Sequence, residues 1–115
     1  MIIAANDQTN YQQSLQTLED LLDNAYWSAT SIQAKDAITS LTQNISDILT
    51  TLNQGALDTN SASYTPLKAA VSAANTKLQT AQTQINNWVH VIAVATQVTS
   101  AIDQVINQYA KMFPV

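Results

Sequence analysis

A long helical repeat runs through residues 67–113, which read LKAAVSAANTKLQTAQTQINNWVHVIAVATQVTSAIDQVINQYAKMF. Its members lie alternately four and three residues apart, and every one except Thr99 is apolar. This spacing places them on one face of an α-helix for about six heptads. They are Leu67, Val71, Ala74, Leu78, Ala81, Ile85, Trp88, Ile92, Ala95, Thr99, Ile102, Ile106, Tyr109 and Phe113. The second half of the chain is therefore predicted to be helical.

The ends of this second arm are marked by residues with known positional preferences. Thr65 can cap a helix, and Pro66 then occupies the first helical position, where a missing N–H group costs nothing. Pro114 ends the arm, which we therefore place at residues 65–113. An Asn-Asn pair at residues 86–87 is the candidate break within it, but the repeat passes through this pair in phase. We therefore expect one continuous helix, with a break at the pair as the alternative.

The first half of the chain carries two shorter helical repeats that are out of phase by two residues. The first contains Tyr11, Leu15, Leu18, Leu22, Ala25, Ala29 and Ile32. The second contains Trp27, Ser31, Ala34, Ile38, Leu41, Ile45, Ile48 and Leu52. One straight helix cannot keep both repeats on the same face, so the first arm, residues 7–54, must break. Thr30 followed by Gln33 has the spacing of a capping box, and we therefore place the break near residues 28–31.

One loop is predicted between the two arms, at residues 55–64 (GALDTNSASY). This segment contains the only glycine of the chain, Gly55, together with a cluster of Asp, Asn and Ser. Gly55 also marks the C-terminal stop of a helix that ends at Gln54. We therefore predict a single all-α domain over residues 1–115. It would be an antiparallel hairpin or bundle of three long amphipathic helices, with four helices as the alternative.

The composition excludes several classes of protein. Hydrophobic residues make up 46% of the 115 residues, so the chain can bury a core, while charged residues make up only 10%. The absence of cysteine excludes a disulfide scaffold and thiolate sites, and a single glycine excludes a glycine-rich phosphate loop. Only 4 basic residues and a net charge of −4 argue against nucleic-acid binding.

No segment has the features of a targeting or membrane-spanning element. The apolar start, residues 1–5, is too short for a signal peptide, and no basic segment precedes it. The longest apolar run, residues 88–95, is interrupted by His90 and is much shorter than the roughly 20 residues of a membrane span. We therefore expect neither a signal peptide nor a transmembrane helix in this chain, and the compartment stays open.

Few residues could carry catalysis or hold a metal. His90 is the only histidine, and a helical projection places it on the polar face, away from any acid. Glu19, Asp20 and Asp23 form the only acidic cluster, which is typical of a solvent-facing patch and lacks further metal ligands. Asp103 lies close to the apolar repeat, where it faces a polar partner or the edge of the bundle. We therefore expect no catalytic residue, no cofactor and no metal.

The apolar surface of the C-terminal half is wider than one packed face requires. From Trp88 onward a second apolar stripe lies beside the repeat, giving an arc of about 180° where a surface helix needs about 100°. Either this helix is central and covered on two sides, or one stripe faces a partner. The neighbouring Tyr26 and Trp27, at the predicted break, cannot face inward together on one regular helix. The candidate interaction surface comprises Trp88, Val91, Val94, Val98, Val105, Met112, Tyr26 and Trp27.

These features predict a non-enzymatic, acidic α-helical interaction protein that acts through helix–helix packing of the coiled-coil type. Its partner would be a second copy of the chain, forming a homo-oligomer, or another protein. A protein that binds a lipid or other apolar surface is the alternative. That alternative is weakened because the basic polar face expected of helices that bind anionic membranes is missing. An enzyme is the third and least favoured class.

Overall fold

The computed structural model describes residues 5–55 and 58–113, and this part of the chain contains four α-helices. They are α1 (Ala5–Trp27), α2 (Ile32–Leu52), α3 (Tyr64–Trp88) and α4 (Ile92–Met112). Their lengths of 21 to 25 residues correspond to about 32–38 Å each. The molecule is 45 Å long. The described residues include no strand, which confirms the predicted all-α class.

The helices form an up-down-up-down bundle with a square cross-section. α1 packs against α2 and α4, most extensively against α4, and α3 packs against the same two helices. Within the described ranges the diagonal pairs, α1 with α3 and α2 with α4, make no backbone contact. Because the bundle is only 21 by 20 Å across, all four helices share one central core.

The apolar repeats of the sequence form this core in α1, α2 and α3. Apart from Gln8, Ser14 and Leu49, the buried residues of these helices follow the predicted spacing of four and three residues. They are Tyr11, Leu15, Leu18, Leu22 and Ala25 in α1, Ala34, Ile38, Leu41, Ile45, Ile48 and Leu52 in α2, and Leu67, Val71, Ala74, Leu78, Ala81 and Ile85 in α3. Burial of one apolar face on each helix is the main stabilising contribution to the fold.

The expectation of one continuous helix over residues 65–113 is wrong. The chain reverses between α3 and α4, so the described ranges form four helices, which confirms the alternative that the sequence left open. Val89 and Val91 have extended backbones, with φ/ψ of −124°/148° and −101°/109°, which β-branched residues adopt readily. The repeat concealed this break because the three linking residues preserve the four-residue step from Trp88 to Ile92.

The second apolar stripe of α4 belongs to the core. Val98, Val105 and Met112 are buried, and Val94 is half-buried against the same cluster. α4 packs between α1 and α3, so it needs an apolar face wide enough for two neighbours. These four residues therefore lie inside or at the border of the bundle instead of on the predicted interaction surface.

The first arm breaks between Trp27 and Ile32, where the two apolar repeats change phase. Ser31, and not Thr30, caps α2. The Ser31 side-chain oxygen accepts a hydrogen bond from the Ala34 backbone N–H at 3.1 Å. Thr30 is unavailable as a cap for α2 because its hydroxyl bonds to the end of α3.

The connection between α2 and α3 also differs in detail from the prediction. α2 ends at Leu52, and Gly55 has a φ of +146°, a backbone conformation that favours glycine. α3 begins at Tyr64, so Thr65 does not cap it. Pro66 still lies within the first turn, where backbone N–H groups have no helical partner.

Three sequence predictions fall partly outside the described part of the chain. Residues 56–57 of the predicted loop, residues 1–4 of the apolar start and the terminator Pro114 are among the residues that the structure does not describe. The remaining loop residues, 58–63, form turns that lead into α3.

α4 allows a direct comparison of a core position with an exposed one. Ile102 is fully buried, whereas Ile92, a member of the same predicted repeat, is 79% exposed. We expect Ile102→Ala to lower the free energy of unfolding by about 2–5 kcal/mol because it leaves a cavity. Ile92→Ala should change it by less than about 0.5 kcal/mol. Urea denaturation followed by circular dichroism measures both, and equal losses would contradict the exposed position of Ile92.

A tyrosine hydroxyl in the core is among the buried polar groups that have no hydrogen-bond partner in the described part of the chain. The Tyr11 side chain is fully buried, and its hydroxyl forms no hydrogen bond within the described residues. Burial, with a smaller contribution from Tyr109, raises the pKa of Tyr11 well above its usual range. The hydroxyl of Tyr109, in contrast, is hydrogen-bonded to Ser72 Oγ at 2.8 Å. The Tyr11 hydroxyl therefore destabilises the fold, and that of Tyr109 does not.

Removal of the Tyr11 hydroxyl should stabilise the protein. A buried hydroxyl without a partner costs about 1–3 kcal/mol, so Tyr11→Phe should raise the free energy of unfolding at neutral pH by about 1 kcal/mol. In the unfolded wild type Tyr11 loses its proton at about pH 10, whereas folded Tyr11 keeps it. Wild-type stability should therefore fall as the pH rises above about 10, and Tyr11→Phe should reduce this fall.

Tyr109→Phe is the matched control for this prediction. It removes a hydroxyl that has a partner, so it should lower the free energy of unfolding by about 0.5–1.5 kcal/mol. Urea denaturation at several pH values measures both variants. A loss of stability in Tyr11→Phe at neutral pH would mean that the Tyr11 hydroxyl does have a partner in solution.

Candidate interaction site

Two chain reversals meet at one end of the bundle and pair with each other. Residues 28–31 link α1 to α2, and residues 89–91 link α3 to α4. Ala29 lies opposite Val89 in an isolated antiparallel β-bridge. Two backbone hydrogen bonds, of 2.7 and 3.3 Å, flank this bridge. Because the Val89 side chain is buried, the bridge is anchored in the core beneath it.

Thr30 holds the two reversals together through two hydrogen bonds. Its backbone N–H donates to the Trp88 carbonyl oxygen at 2.7 Å, and its hydroxyl donates to the Asn87 carbonyl oxygen at 3.0 Å. These carbonyl groups belong to the last turn of α3, where they have no helical partner. Thr30 therefore satisfies the C-terminus of α3, and the His90 N–H returns a bond to the Ser28 carbonyl oxygen at 3.3 Å.

Four large apolar side chains are exposed in the described part of the chain, and all four lie at this end of the bundle. Trp27 (75% exposed) and Ile32 (78%) flank the first reversal, and Val91 (38%) and Ile92 (79%) belong to or follow the second. We call these four residues the apolar tip. Single exposed apolar residues are common on protein surfaces, so what marks these four is that they all lie at the same end of the bundle.

The two halves of the apolar tip are built alike. Ile32 is the first residue of α2 and Ile92 is the first residue of α4. The residue before Ile32 is Ser31, which caps α2, but the residue before Ile92 is Val91, and no side chain caps α4. Valine has no side-chain acceptor and is a poor N-cap. At Val91 the sequence therefore has an apolar side chain where a polar one would stabilise the helix.

A groove between α1 and α2 opens beside Trp27. Its volume is about 260 Å³, and its walls include Asp23, Tyr26 and Trp27 of α1 and Ile38 of α2. The rings of Tyr26 and Trp27 meet edge to face, with centroids 5.2 Å apart. The Nζ atom of Lys35 lies 5.3 Å from the Tyr26 ring centroid, in a cation–π contact. The only lysine at this end of the bundle is thus engaged with an aromatic ring.

The acidic cluster lies on the same side of α1 as Trp27. Glu19, Asp20 and Asp23 precede Trp27 by eight, seven and four residues, spacings that place side chains on one helical face. Gln16 Nε2 donates long hydrogen bonds to Glu19 at 3.4 Å and to Asp20 at 3.3 Å. Within residues 5–55 and 58–113 none of the three acids forms an ion pair. Their negative charge is therefore not held in an ion pair of the described chain.

The structure divides the predicted interaction surface into two groups. Trp27 and Val91 are exposed at the apolar tip, and Tyr26 and Trp88 are half-buried beside it. The other predicted residues pack in or against the core: Val94, Val98, Val105 and Met112.

Sequence reasoning did not identify Ile32 and Ile92 as surface residues. Both continue an apolar repeat, so their spacing predicted burial. The signal that could have found them is their position directly after a helix boundary, where the repeat of the preceding helix no longer determines which side faces the core.

The structure also places the two other candidate residues, His90 and Asp103. His90 lies exposed in the second reversal, not on a helix as predicted. Asp103 accepts a hydrogen bond from Gln82 Nε2 of α3 at 2.7 Å, which places it at the edge of the bundle with a polar partner. Across the described ranges, no group of three or more His, Cys, Asp and Glu side chains is placed to hold a metal ion.

Neither the helices nor comparison with other proteins identifies what the apolar tip contacts. None of the helices in the described part of the chain is both long and apolar enough to cross a membrane. The sequence matches no protein-family profile, no curated protein and no solved structure. The chemistry of the tip is therefore the basis on which a function is assigned.

Proposed function

We propose that this protein is a non-enzymatic interaction protein that binds a protein partner through the apolar tip. The observation that carries the proposal is that the large apolar side chains exposed in the described chain all lie at one end. Burial of a side chain of this size contributes about 1.5–3 kcal/mol, so covering the tip is favourable. Tryptophan, which is 75% exposed here at Trp27, is among the residues that dominate binding energy at interfaces.

The backbone beneath the tip supports this proposal. Thr30, Ser28 and His90 link the two reversals by hydrogen bonds, and Val89 anchors them in the core. A surface held in this way loses little conformational freedom when it binds, which favours affinity. The tip thus has the two properties of an effective binding surface, exposed apolar area and a fixed backbone.

The proposed mode of binding differs from the helix-packing mode that the sequence suggested. The apolar stripe of α4 is used within the bundle, so a partner meets the end of the bundle and not the side of a helix. A lipid surface is the competing binding partner, because exposed tryptophan is also typical of membrane–water interfaces. It is disfavoured because Asp20 and Asp23 lie on the same helical face as Trp27 and would repel anionic headgroups.

If Val91 is retained for binding, replacing it with a capping residue should improve stability. Val91→Asp supplies an acceptor for the free N–H groups of α4, and the Val91 backbone is already extended as an N-cap requires. We expect the free energy of unfolding to rise by about 0.5–2 kcal/mol. Ser31→Ala, which removes the cap of α2, should lower it by a similar amount. Thermal denaturation measures both variants, and a destabilised Val91→Asp would show that Val91 serves the fold.

Site-specific photo-crosslinking tests the binding function. A benzophenone amino acid is placed at Ile32 or Ile92 in cells that produce the protein, and at Gln104 as control. Gln104 is exposed on the same helix as Ile92, about 18 Å along it. We expect the same protein adduct from both tip positions and none from Gln104. The captured protein is identified by mass spectrometry, purified and titrated with wild type and with Ile32→Ser/Ile92→Ser.

The titration decides the outcome. At least about 10-fold weaker binding to the Ser variant, with unchanged folding, supports the proposal. An adduct between two copies of the chain, with sedimentation showing a dimer lost in the variant, would replace it with self-association. Trp27-dependent flotation with lipid vesicles, and no protein adduct, would replace it with lipid binding.

A further inference from the structure

The chemistry of a partner can be read from the charges around the apolar tip. On α1, Asp20 and Asp23 lie on the face that carries Trp27. On α2, the exposed Asp36 follows Ile32 by four residues, so it too is next to a tip residue along the helix. The acids of both helices therefore border the same half of the tip.

These acids outnumber the basic residues near them. Asp20, Asp23 and Asp36 form no ion pairs within residues 5–55 and 58–113. Lys35, the nearest cation in sequence, lies over the Tyr26 ring instead. The other three lysines are on α3 and α4, at positions 68, 77 and 111. The α1–α2 half of the tip thus combines exposed apolar side chains with a net negative charge, since Lys35 is the one cation beside three acids.

The groove beside Trp27 joins these two properties. One wall carries both Asp23 and the aromatic pair of Tyr26 and Trp27, and the other carries Ile38. An apolar side chain of a partner would contact the aromatic pair, and a basic side chain next to it would reach Asp23. A second copy of this chain that binds symmetrically through the same groove is a poor occupant, because its own acids would face those of the groove.

We infer that the groove and the apolar tip bind a protein segment that carries an apolar anchor flanked by lysine or arginine. This inference rests on the proposed function and specifies the partner. The apolar anchor packs against Tyr26 and Trp27, and the basic residues pair with Asp20, Asp23 and Asp36. The charges select the partner and the apolar contact supplies most of the affinity.

A peptide-display experiment tests this inference. A library of random linear peptides on yeast is sorted for binding to the purified protein. Clones are kept if they bind wild type but not Ile32→Ser/Ile92→Ser, which makes their binding dependent on the tip. We expect the kept peptides to be enriched in lysine and arginine beside aliphatic or aromatic residues, and depleted in Asp and Glu, relative to the unsorted library.

Two variants with the same net charge then show whether binding depends on the acids beside the tip or only on the total charge of the protein. Asp20→Asn/Asp23→Asn should bind the kept peptides about 5-fold more weakly, because two exposed pairings are lost. Asp7→Asn/Asp47→Asn removes the same charge away from the tip, since Asp7 is in the first turn of α1 and Asp47 in the second half of α2. This control should leave binding unchanged.

The outcomes distinguish this inference from the function on which it rests. Tip-dependent peptides without a basic bias, or equal binding by the two charge variants, overturn the inference and leave the proposed function standing. Recovery of no tip-dependent peptide overturns both. Tip-dependent flotation with anionic vesicles also overturns both, because the acids beside Trp27 should repel anionic headgroups.

Discussion

The pairing of the two chain reversals is the constraint on which the rest of the structure depends. Because Ala29 lies opposite Val89, the α1–α2 hairpin and the α3–α4 hairpin are held at the same height along the bundle. That height determines which side chains meet in the core, since a close-packed interior accepts only one arrangement of interlocking residues. It also brings the C-terminus of α1 and the N-termini of α2 and α4 to the same end of the bundle, where Trp27, Ile32 and Ile92 are exposed.

Hydrogen bonds alone could not hold the two hairpins at this height. Each contributes about 0.5–1.5 kcal/mol, and those of the paired reversals are close to solvent. The core provides the larger contribution, because α4 buries one wide apolar face against both α1 and α3. Val89 connects the two contributions, since its backbone is in the bridge and its side chain is buried. The reversals and the core therefore stabilise each other, and together they fix the backbone of the tip.

Much of the fold could be predicted from the spacing of apolar residues. The repeats identified the helices and most of the core, because one-sided burial imposes a helical period on the sequence. The break after Trp88 could not be predicted in this way, since three linking residues conserve the phase of the repeat. The apolar tip was predicted only in part, at Trp27 and Val91. Ile32 and Ile92 were missed because periodicity reports where a side chain points on a continuing helix, and each of these residues begins a new one.

The residues of the tip stand out because they depart from local rules that most of the described chain obeys. Elsewhere in the described chain the large apolar side chains are buried or half-buried, and most polar ones lie at the surface, as a consistent sequence requires. At the tip, two isoleucines begin helices in solvent and a valine occupies a capping position. None of these choices benefits the isolated fold, and a polar residue at each position would be compatible with the backbone. Such departures are typical of positions retained for contact with another molecule. The proposed binding role of the tip thus rests on the stability that its residues forgo, independently of its charge, and the acids of α1 and α2 are the separate basis for the inferred chemistry of the partner.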